Sequence, residues 1–452
     1  MADQDKGRLK EGQGQESMNY RQAMEYIENR SGYGIVSGPD SIKELLNRLG
    51  NPQEQLKCIQ ITGTNGKGSA VAFLTSVLRA AGYRTGTFVS HAIFDYRERF
   101  QIQAKPISRA LTAKLMETVA FQAKAMAEEG LGYPTPFEIE TAMSFLLFRE
   151  KKCDLVVLET GMGGERNVTN VIQEPLVCVF TPISMEHGNF GKEAIKEIAR
   201  EKAGIMKAGV IAVSAPQQEA VMKVLEEEVK RSGVKELRLV KKGEIKGKFR
   251  GLKSQSLSYG EYSQVELSLL GQYQLINAAL VLEVVKVLES WGYSIKERAL
   301  RKGMAEAVCP GRFQVLTARP VFVVDGAHNE AGAIELKKSL EFYFTNKRII
   351  YIMGMLRDEE YDKVVAHTHF LAEHIITVAV RGNPRAMPAL ELAQLVSGYH
   401  SRVTAADSIE EAVELACLLA DKDTVIVGFG SLAYLGDCIH AVLEREKRKK
   451  KE

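Results

Sequence analysis

The sequence contains no long apolar run and no large excess of charge of one sign. Its 60 Lys and Arg residues nearly balance its 57 Asp and Glu residues, so the formal net charge is only +3 over 452 residues. A charge this small gives no reason to expect nucleic acid, a membrane surface or a polyacid as a partner. No stretch approaches the roughly 18 apolar residues of a membrane-spanning helix, and the polar N-terminus lacks the apolar core of a signal peptide. We therefore expect a cytoplasmic protein.

Cysteine is also scarce, and its spacing excludes two common kinds of site. The cysteines are scattered, form no CxxC pair and have no His beside them at the spacing of metal ligands. Neither a zinc site nor a disulfide framework is therefore predicted. We expect most of these six side chains to be buried hydrophobes: Cys58, Cys153, Cys178, Cys309, Cys417 and Cys438.

The composition is otherwise that of an ordinary globular protein, with 45% hydrophobic and 26% charged residues. At roughly 100–200 residues per domain, the length predicts two or three domains. Apolar runs of strand length alternate with helical patterns almost from end to end, which predicts an α/β protein with mostly parallel sheets. The predicted strands are 56–62, 84–89, 154–160, 176–183 and 209–215 in the first half, and 321–327, 348–355, 374–380, 402–405 and 423–429 in the second.

The pattern changes in two places, and these changes suggest the domain organisation. Residues 234–270 contain short polar pieces, which predict a small antiparallel excursion before a helix at 274–290. The pair Pro310-Gly311 is a strong local break, and the second alternating series follows it. We predict a flexible tail at 1–17, a first domain at 18–298, a linker at 299–312, and a smaller second domain at 313–452 that ends in a basic tail.

The strongest local signal is a glycine-rich segment at 61–69, ITGTNGKGS, between a buried strand and an Ala-rich helical stretch. Small residues let the backbone curl around an anion, so that N–H groups point at phosphate oxygens while Lys67 adds a positive charge. The hydroxyl of Ser69 can coordinate Mg²⁺. The segment departs from the strict GxxxxGK[ST] pattern because Gly68 separates Lys67 from Ser69. The alternative is a turn without a ligand, but the Lys and the hydroxyl fall where a nucleotide needs them.

Two further strand ends carry groups that can bind a metal. Glu159 ends a buried strand beside the phosphate loop, where a carboxylate can bind Mg²⁺ directly or through water. His187 follows another apolar strand and is either a metal ligand or a core histidine. Taken alone, Glu159 is more typical of a solvated strand-end acid. Together, Ser69, Glu159 and His187 supply hard oxygens and one imidazole, a set compatible with Mg²⁺ or Mn²⁺.

Charged residues near the predicted domain junction form a third group. Arg312, Asp325 and His328 lie close to the Pro310 break, and turn chemistry alone explains both of their segments. An Arg at a junction is also suited to clamp a transferring phosphoryl group when the domains close. Lys202 lies on an amphipathic helix, whose simplest interpretation is a charged surface.

Together these segments resemble the Mur ligase superfamily and, within it, the folylpolyglutamate synthase/dihydrofolate synthase family. The resemblance is collinear from about Met18 to Leu443. It implies a P-loop ATPase domain followed by a Rossmann-like domain, with ATP bound between them, in an enzyme that we expect to be a monomer. The segments that carry it are MNYRQAMEYI, ITGTNGKGS, SHAIFDYRERF, TPFEIETAMSF, LETGMGGERNVTN, REKAGI, GQYQLINAAL, PGRFQ, DGAHN, MGMLRDEEY and GFGSLAYLGD.

The resemblance implies roles for individual residues, with Lys67, Lys202, His187 and Arg312 as the catalytic set. The phosphate-binding loop is matched by Thr64, Asn65, Gly66, Lys67 and Gly68. Mg²⁺ ligands are matched by Ser69, Glu159 and His187, and Lys202 matches a lysine that is carbamylated to hold a second Mg²⁺. Positions that contact the nucleotide are matched by Asn277, Arg312, Asp325 and His328. K⁺ is a further candidate cofactor.

The implied reaction is ATP-dependent amide formation between L-glutamate and the carboxylate of folate or dihydropteroate. Transfer of the γ-phosphoryl group to that carboxylate gives an acyl phosphate, which the amine of glutamate then attacks. Metal ions and Lys67 would neutralise the crowded anions, while domain closure keeps water away from the acyl phosphate.

Departures from the family pattern leave the acceptor open. SHAI at 90–93 replaces the usual SPHL, and in GGERNVTN at 163–170 Glu165 replaces an Arg and Asn167 an Asp. Glu186 stands where Asp is usual before His187. We expect the phosphoryl chemistry to be intact and the acceptor site to be changed. Two alternatives therefore remain, a Mur-type ligase with a different acid acceptor and a non-catalytic ATP-binding paralogue.

Overall fold

The chain folds into two α/β domains, which confirms the predicted fold class. The computed structural model describes residues 17–30, 39–161, 163–185 and 193–449. In the first domain the helices are α1 (Tyr20–Glu28), α2 (Pro39–Arg48), α3 (Lys67–Ala80), α4 (Arg109–Glu128), α5 (Pro136–Glu150), α6 (Ala194–Ala203), α7 (Glu219–Ser232), α8 (Gln274–Ser290) and α9 (Glu297–Glu306). Its strands are β1 (Cys58–Thr62), β2 (Thr85–Phe88), β3 (Phe100–Ile102), β4 (Lys105–Pro106), β5 (Leu155–Glu159), β6 (Val177–Phe180), β7 (Ile211–Ser214), β8 (Glu236–Leu239), β9 (Lys246–Phe249), β10 (Gln255–Tyr259) and β11 (Tyr262–Leu267).

The second domain is smaller. Its strands are β12 (Gln314–Ala318), β13 (Val321–Val324), β14 (Arg348–Gly354), β15 (His374–Val378), β16 (Val403–Ala405) and β17 (Thr424–Phe429). Its helices are α10 (Glu330–Tyr343), α11 (Tyr361–Thr368), α12 (Ala389–Val396), α13 (Ile409–Leu419) and α14 (Leu432–Lys449). The basic segment that we predicted as a tail therefore begins inside α14. Within the described ranges, no helix has the length and apolar character needed to cross a membrane.

The main sheet of the first domain has the strand order β4-β3-β2-β5-β1-β6-β7-β8. From β2 to β8 neighbouring strands are parallel, and β3 and β4 add an antiparallel edge. β1, β5, β6 and β7 are buried along their whole length, which is why they read as continuous apolar runs. Because these strands are parallel, their carboxyl ends meet at one edge of the sheet.

The helices α3, α8 and α9 contribute to one apolar core with this sheet. Leu300 and Met304 of α9 are buried in that core, and α9 lies so close to α3 that a Cβ added at Gly303 would be 2.4 Å from the Cα of Val77. The first part of the predicted linker is thus a helix packed on the first domain. The exact boundary between the domains stays a prediction.

The segment at 234–270 is only partly antiparallel. β9, β10 and β11 form the expected small antiparallel sheet. β8, however, extends the main sheet in parallel with β7. Its residues are half-buried or exposed, because a strand at the edge of a sheet leaves much of its surface in solvent. The polar residues of β8 are therefore why the sequence predicted an antiparallel excursion there.

The sheet of the second domain has the order β12-β13-β17-β14-β15-β16. All neighbours are parallel except β12, which pairs antiparallel with β13 and was not predicted. The carboxyl ends of β13, β14 and β17 lead into the segments that carry Asp325, Glu359 and Ser431. Ligands of open α/β sheets bind at this kind of edge.

Candidate active site

The predicted phosphate loop connects β1 to α3. Gly66 precedes α3 with a φ of 93°, a conformation that favours glycine. The first N–H groups of a helix have no acceptor within the helix, so this N-terminus can bind an anion. The Nζ of Lys67 donates hydrogen bonds to the carbonyl oxygens of Gly63 at 2.8 Å and Thr64 at 3.0 Å. The ammonium group therefore lies inside the curve of the loop.

Two polar side chains of α8 contact the segment 61–69. A Cβ added at Gly66 would lie 2.4 Å from the Oδ1 of Asn277, so the two are in direct contact. Gln274 is fully buried, and its Nε2 donates to the Oγ of Ser69 at 2.9 Å while its Oε1 accepts from the Nδ2 of Asn277 at 2.9 Å. The contact of Asn277 with a nucleotide stays a prediction. Gln274 was missed, although it lies in the GQYQLINAAL segment that carries the family resemblance.

Glu159 lies beside the phosphate loop. It ends β5, pairs in register with Ile61 of β1 and is 5% exposed. Ser90 orients its carboxylate, since the Oγ of Ser90 donates to Oε1 at 2.9 Å and its N–H to Oε2 at 3.3 Å. The hydroxyl of Ser69 and the carboxylate of Glu159 are hard oxygen donors. Mg²⁺ is usually held by one or two carboxylates together with waters and substrate phosphates, so these residues fit it.

His91 adds an imidazole to this corner of the site. Its Nδ1 lies 2.9 Å from the Oγ of Ser90. Desolvation lowers the pKa of His91 to about 4, although the residue as a whole is exposed. Glu159 opposes this shift, whereas Lys67, Arg312 and Arg99 add to it. The ring is therefore neutral near pH 7.

The other predicted ligand from a strand end, His187, lies outside the described residues, as does Glu186. The described chain before them comes close to the phosphate loop. Thr64 accepts at its Oγ1 from the N–H of Ser184 at 3.0 Å, and its hydroxyl donates to the carbonyl of Ser184 at 3.1 Å. The metal role of His187 stays a prediction.

Arg312, the last residue of the predicted linker, lies at the same place. Burial disfavours its charge, but Cys309, Asp325, Tyr273 and Glu159 outweigh this and raise the pKa of Arg312. The Cys309 thiol also interacts with Ser69, and burial raises its pKa although Arg312 opposes the shift. Arg312 and Cys309 thus lie between the phosphate loop and the second domain.

Asp325 follows β13 and is 4% exposed. Its carboxylate accepts hydrogen bonds from the Tyr273 hydroxyl at 2.7 Å and from the N–H groups of Phe313 at 2.8 Å and Ala327 at 2.9 Å. Burial raises the pKa of Asp325, while these donors and Arg312 work against the shift. Because Tyr273 belongs to the first domain, Asp325 also joins the domains.

His328 and Asn329 follow Asp325 at the start of α10. The Nδ1 of His328 lies 2.7 Å from the carbonyl oxygen of Gly326. Asn329, which we did not single out, exchanges hydrogen bonds with Asn65 of the phosphate loop. The structure thus brings Arg312, Asp325 and the α10 N-terminus to the carboxyl edge of the first sheet.

Lys202 is a buried residue and not part of a charged surface. It lies on α6 with 1% exposure. Gly164 permits a tight packing there, since a Cβ added to it would be 2.6 Å from the Cα of Lys202. The simplest interpretation, a solvated helix face, is therefore wrong for this residue, and its carbamylation stays a prediction.

Two of the unusual residues have local structural partners. The Oδ1 of Asn167 caps the turn that follows it by accepting from the N–H of Thr169 at 3.0 Å and from its hydroxyl at 2.8 Å. Glu165 packs on the end of α6, where a Cβ added at Gly204 would lie 2.3 Å from its Cβ. Neither departure leaves a buried charge facing the phosphate loop.

Known proteins share both domains. The sequence pattern of the Mur ligase middle domain matches residues 61–285, and that of the Mur ligase, glutamate ligase domain matches residues 311–432. A dihydrofolate synthase/folylpolyglutamate synthase of Bacillus subtilis (strain 168) is 33% identical over 430 residues, which cover 92% of this chain and 98% of that protein.

Solved structures are similar to this chain over nearly its whole length. The chain is similar to a Mycobacterium tuberculosis folylpolyglutamate synthase complexed with ADP, with a TM-score of 0.86, 29% identity and coverage of 92% of this chain and 97% of that one. It is also similar to E. coli FolC in complex with DHPP and ADP, with a TM-score of 0.83, 25% identity and coverage of 95% and 98%. Fold and sequence therefore agree on one family.

Proposed function

This chain belongs to the folylpolyglutamate synthase/dihydrofolate synthase family of Mur ligases, and we propose that the cleft between its two domains is where it joins L-glutamate to a folate-type acid. It is an ATP-dependent ligase that works through an acyl phosphate. The observation that carries the site assignment is the position of the phosphate loop. Its Ser69 interacts with Cys309, which also interacts with Arg312, and its Asn65 is hydrogen-bonded to Asn329 at the N-terminus of α10.

The phosphates of ATP bind at the N-terminus of α3 in this proposal. The N–H groups at the start of this helix and the ammonium of Lys67 provide positive charge on one side. Arg312 provides it from the junction between the domains, where its charge interacts with Glu159. A cation that is fixed before the reaction stabilises the charge of the transition state without reorganisation.

Ser69 and Glu159 would hold Mg²⁺, with His187 as a third ligand. When bound there, the ion neutralises phosphate oxygens and polarises the γ-phosphoryl group. A carbamate on Lys202 would turn a buried cation into an anionic oxygen ligand for a second Mg²⁺. The carbamate, a bound K⁺ and the monomeric state are parts of this proposal.

The chemical step needs no covalent bond to the protein. A carboxylate is a poor electrophile, and its phosphorylation creates a leaving group that departs as phosphate when the amine of glutamate attacks. The protein contributes position and electrostatics. Closure of the second domain over the first would exclude the water that hydrolyses an acyl phosphate.

The acceptor is a pteridine acid, either dihydropteroate or a reduced folate. Support comes from the relatives, since the B. subtilis protein bears the names of both synthases and the E. coli structure contains DHPP and ADP. The local roles of Asn167 and Glu165 also support a pteridine, because they explain both substitutions without a change of acceptor.

The test is phosphate release with ATP, Mg²⁺ and L-glutamate while dihydropteroate or tetrahydrofolate is added in turn. We expect stimulation by at least one pteridine, with loss of that stimulation in Lys67→Ala. Release that responds to neither pteridine would contradict the proposal. Stimulation by an unrelated acid alone would favour a changed acceptor.

A further inference from the structure

A loop of the first domain, residues 90–98, reaches into the second domain. We call it the bridging loop, and it connects β2 to β3. Ile93 at its centre packs against an apolar core whose other members, among the described residues, all belong to the second domain. Leu432 and Leu435 of α14 are part of that core.

The contact with α14 is unusually close and depends on glycine. A Cβ added at Gly436 would lie only 2.1 Å from the carbonyl oxygen of Ile93. At Gly311 an added Cβ would lie 3.0 Å from the Cδ1 of Ile93 and 3.0 Å from the Cδ1 of Leu435. The backbone of the bridging loop therefore rests directly on the helix, and movement of α14 against the first domain must move the loop.

The beginning of the same loop holds Glu159. Among the described residues, its carboxylate accepts hydrogen bonds from the hydroxyl and the N–H group of Ser90. Only two residues, His91 and Ala92, separate Ser90 from Ile93, so a shift of Ile93 is passed on to Ser90 with little loss.

The bridging loop is also braced internally. The carboxylate of Glu98 accepts from the N–H of Ile93 at 2.8 Å and from that of Phe94 at 3.2 Å. The N–H of Val89 donates to the carbonyl of Arg99 at 3.1 Å and closes the base of the loop. These bonds make the loop a stiff connection between α14 and Glu159.

We propose that Ile93 is a positioning residue, which couples closure of the second domain to the orientation of Glu159 through the bridging loop and Ser90. When the domains close, Gly436 and Leu435 fix Ile93, and Ser90 then holds the carboxylate in the geometry that binds Mg²⁺. When they open, the carboxylate loses this support. The inference rests on the proposed function, in which Glu159 is a Mg²⁺ ligand.

Such coupling has a chemical purpose. An open cleft with a complete metal site would allow water to attack ATP or the acyl phosphate. A site completed by closure restricts phosphoryl transfer to the state that excludes water.

The first test compares Ile93→Ala with Phe94→Ala, whose ring is 53% exposed in the same loop. Calorimetry measures the affinity for a non-hydrolysable ATP analogue as Mg²⁺ is titrated. Loss of a residue that orients a metal ligand weakens metal binding about 10–100-fold. We expect Ile93→Ala to need about tenfold more Mg²⁺ for the same analogue affinity, with metal-free analogue binding unchanged. Phe94→Ala should match the wild type, and Ile93→Val should restore most of the loss.

A second variant separates this role from simple loss of packing. Gly436→Ala keeps Ile93 and adds a good helix former to α14, yet its Cβ must displace the bridging loop. We expect the same weakened response to Mg²⁺ as in Ile93→Ala, together with a lower kcat and an unchanged KM for ATP measured at saturating Mg²⁺.

The outcomes distinguish this inference from the function on which it rests. If both variants bind the analogue with wild-type Mg²⁺ dependence while pteridine-stimulated phosphate release persists, Ile93 has no positioning role and the proposed function stands. If the wild type shows neither Mg²⁺-dependent analogue binding nor pteridine-stimulated release, the proposed function itself fails.

Discussion

Asn65 and Asn329 exchange a reciprocal pair of amide hydrogen bonds across the domain interface. The Nδ2 of Asn65 donates to the Oδ1 of Asn329 at 2.9 Å, and the Nδ2 of Asn329 donates to the Oδ1 of Asn65 at 3.2 Å. The Oδ1 of Asn329 also caps α10 by accepting from the N–H of Gly332 at 2.8 Å. The phosphate loop of one domain is thus tied to a helix N-terminus of the other.

This pair predicts a measurable coupling between the domains. Asn65→Ala removes the pair and leaves the cap, so we expect kcat to fall about tenfold, the equivalent of about 1.4 kcal/mol, with little change in Tm. Asn329→Ala also removes the cap and should cost about 1 kcal/mol of stability. Asn329→Asp keeps the capping oxygen and serves as the control. A double-mutant cycle on kcat checks the coupling, and strictly additive effects would show that the pair does not act as a unit.

The contact between Gly66 and Asn277 predicts a specific loss of nucleotide binding. Gly66→Ala introduces strain at a φ of 93° and places a Cβ 2.4 Å from the Oδ1 of Asn277. Gly82→Ala is a matched control, because its φ is 96° and an added Cβ meets no atom within 4 Å. Both variants should lose about 1–2 kcal/mol of stability from backbone strain.

Only Gly66→Ala should also lose ATP affinity, by about tenfold or more if displacing Asn277 from the loop costs at least about 1.4 kcal/mol. Equilibrium titration with a fluorescent ATP analogue measures this difference. Equal affinities of the two variants would mean that the loop does not depend on Asn277.

Glu359 predicts a pH dependence of stability. Burial raises its pKa to about 7, and Asp358 adds to the shift, while the N–H of Leu356, the Ser431 hydroxyl and Arg385 oppose it. Tyr434 also faces Glu359. Because the folded protein holds this proton more tightly than the unfolded chain, stability should fall as the pH rises from about 4.5 to about 7.

Glu359→Gln removes this titration and keeps an oxygen that can accept from the N–H of Leu356, now bonded at 2.7 Å. We expect its Tm to exceed that of the wild type by roughly 2–4 °C at about pH 8 and to match it at about pH 5, where the wild-type carboxyl is neutral. Thermal unfolding monitored by circular dichroism across this pH range provides the check. A constant difference in Tm at all pH values would exclude Glu359 as the cause.

Much of this architecture could be predicted because the buried parallel strands read as plain apolar runs. The helix expected at 274–290 has those bounds in the structure. The phosphate loop lies directly before α3, as its glycine-rich sequence predicted. β8 misled the prediction because it lies at the sheet edge, where a partly exposed strand needs no apolar pattern.

The supporting contacts of the site were harder to foresee. Gln274 meets Ser69 across 205 positions of sequence, and Ile93 meets Gly436 across an even longer separation. The first contact depends on how α8 packs against α3, and the second on how the two domains dock. No local pattern of residues encodes either arrangement. Lys202 illustrates the same limit, because its amphipathic helix indicated a solvated face and the packing of Gly164 buries it.

The most direct test of the ligase chemistry follows one oxygen atom. The carboxylate of the pteridine acceptor is labelled with heavy oxygen, and the enzyme turns it over with ATP, Mg²⁺ and L-glutamate. If the carboxylate is phosphorylated before the amine attacks, one of its oxygens must leave with the released phosphate, and mass spectrometry should find the label there in proportion to the amide formed. Amide formation with unlabelled phosphate would contradict the account.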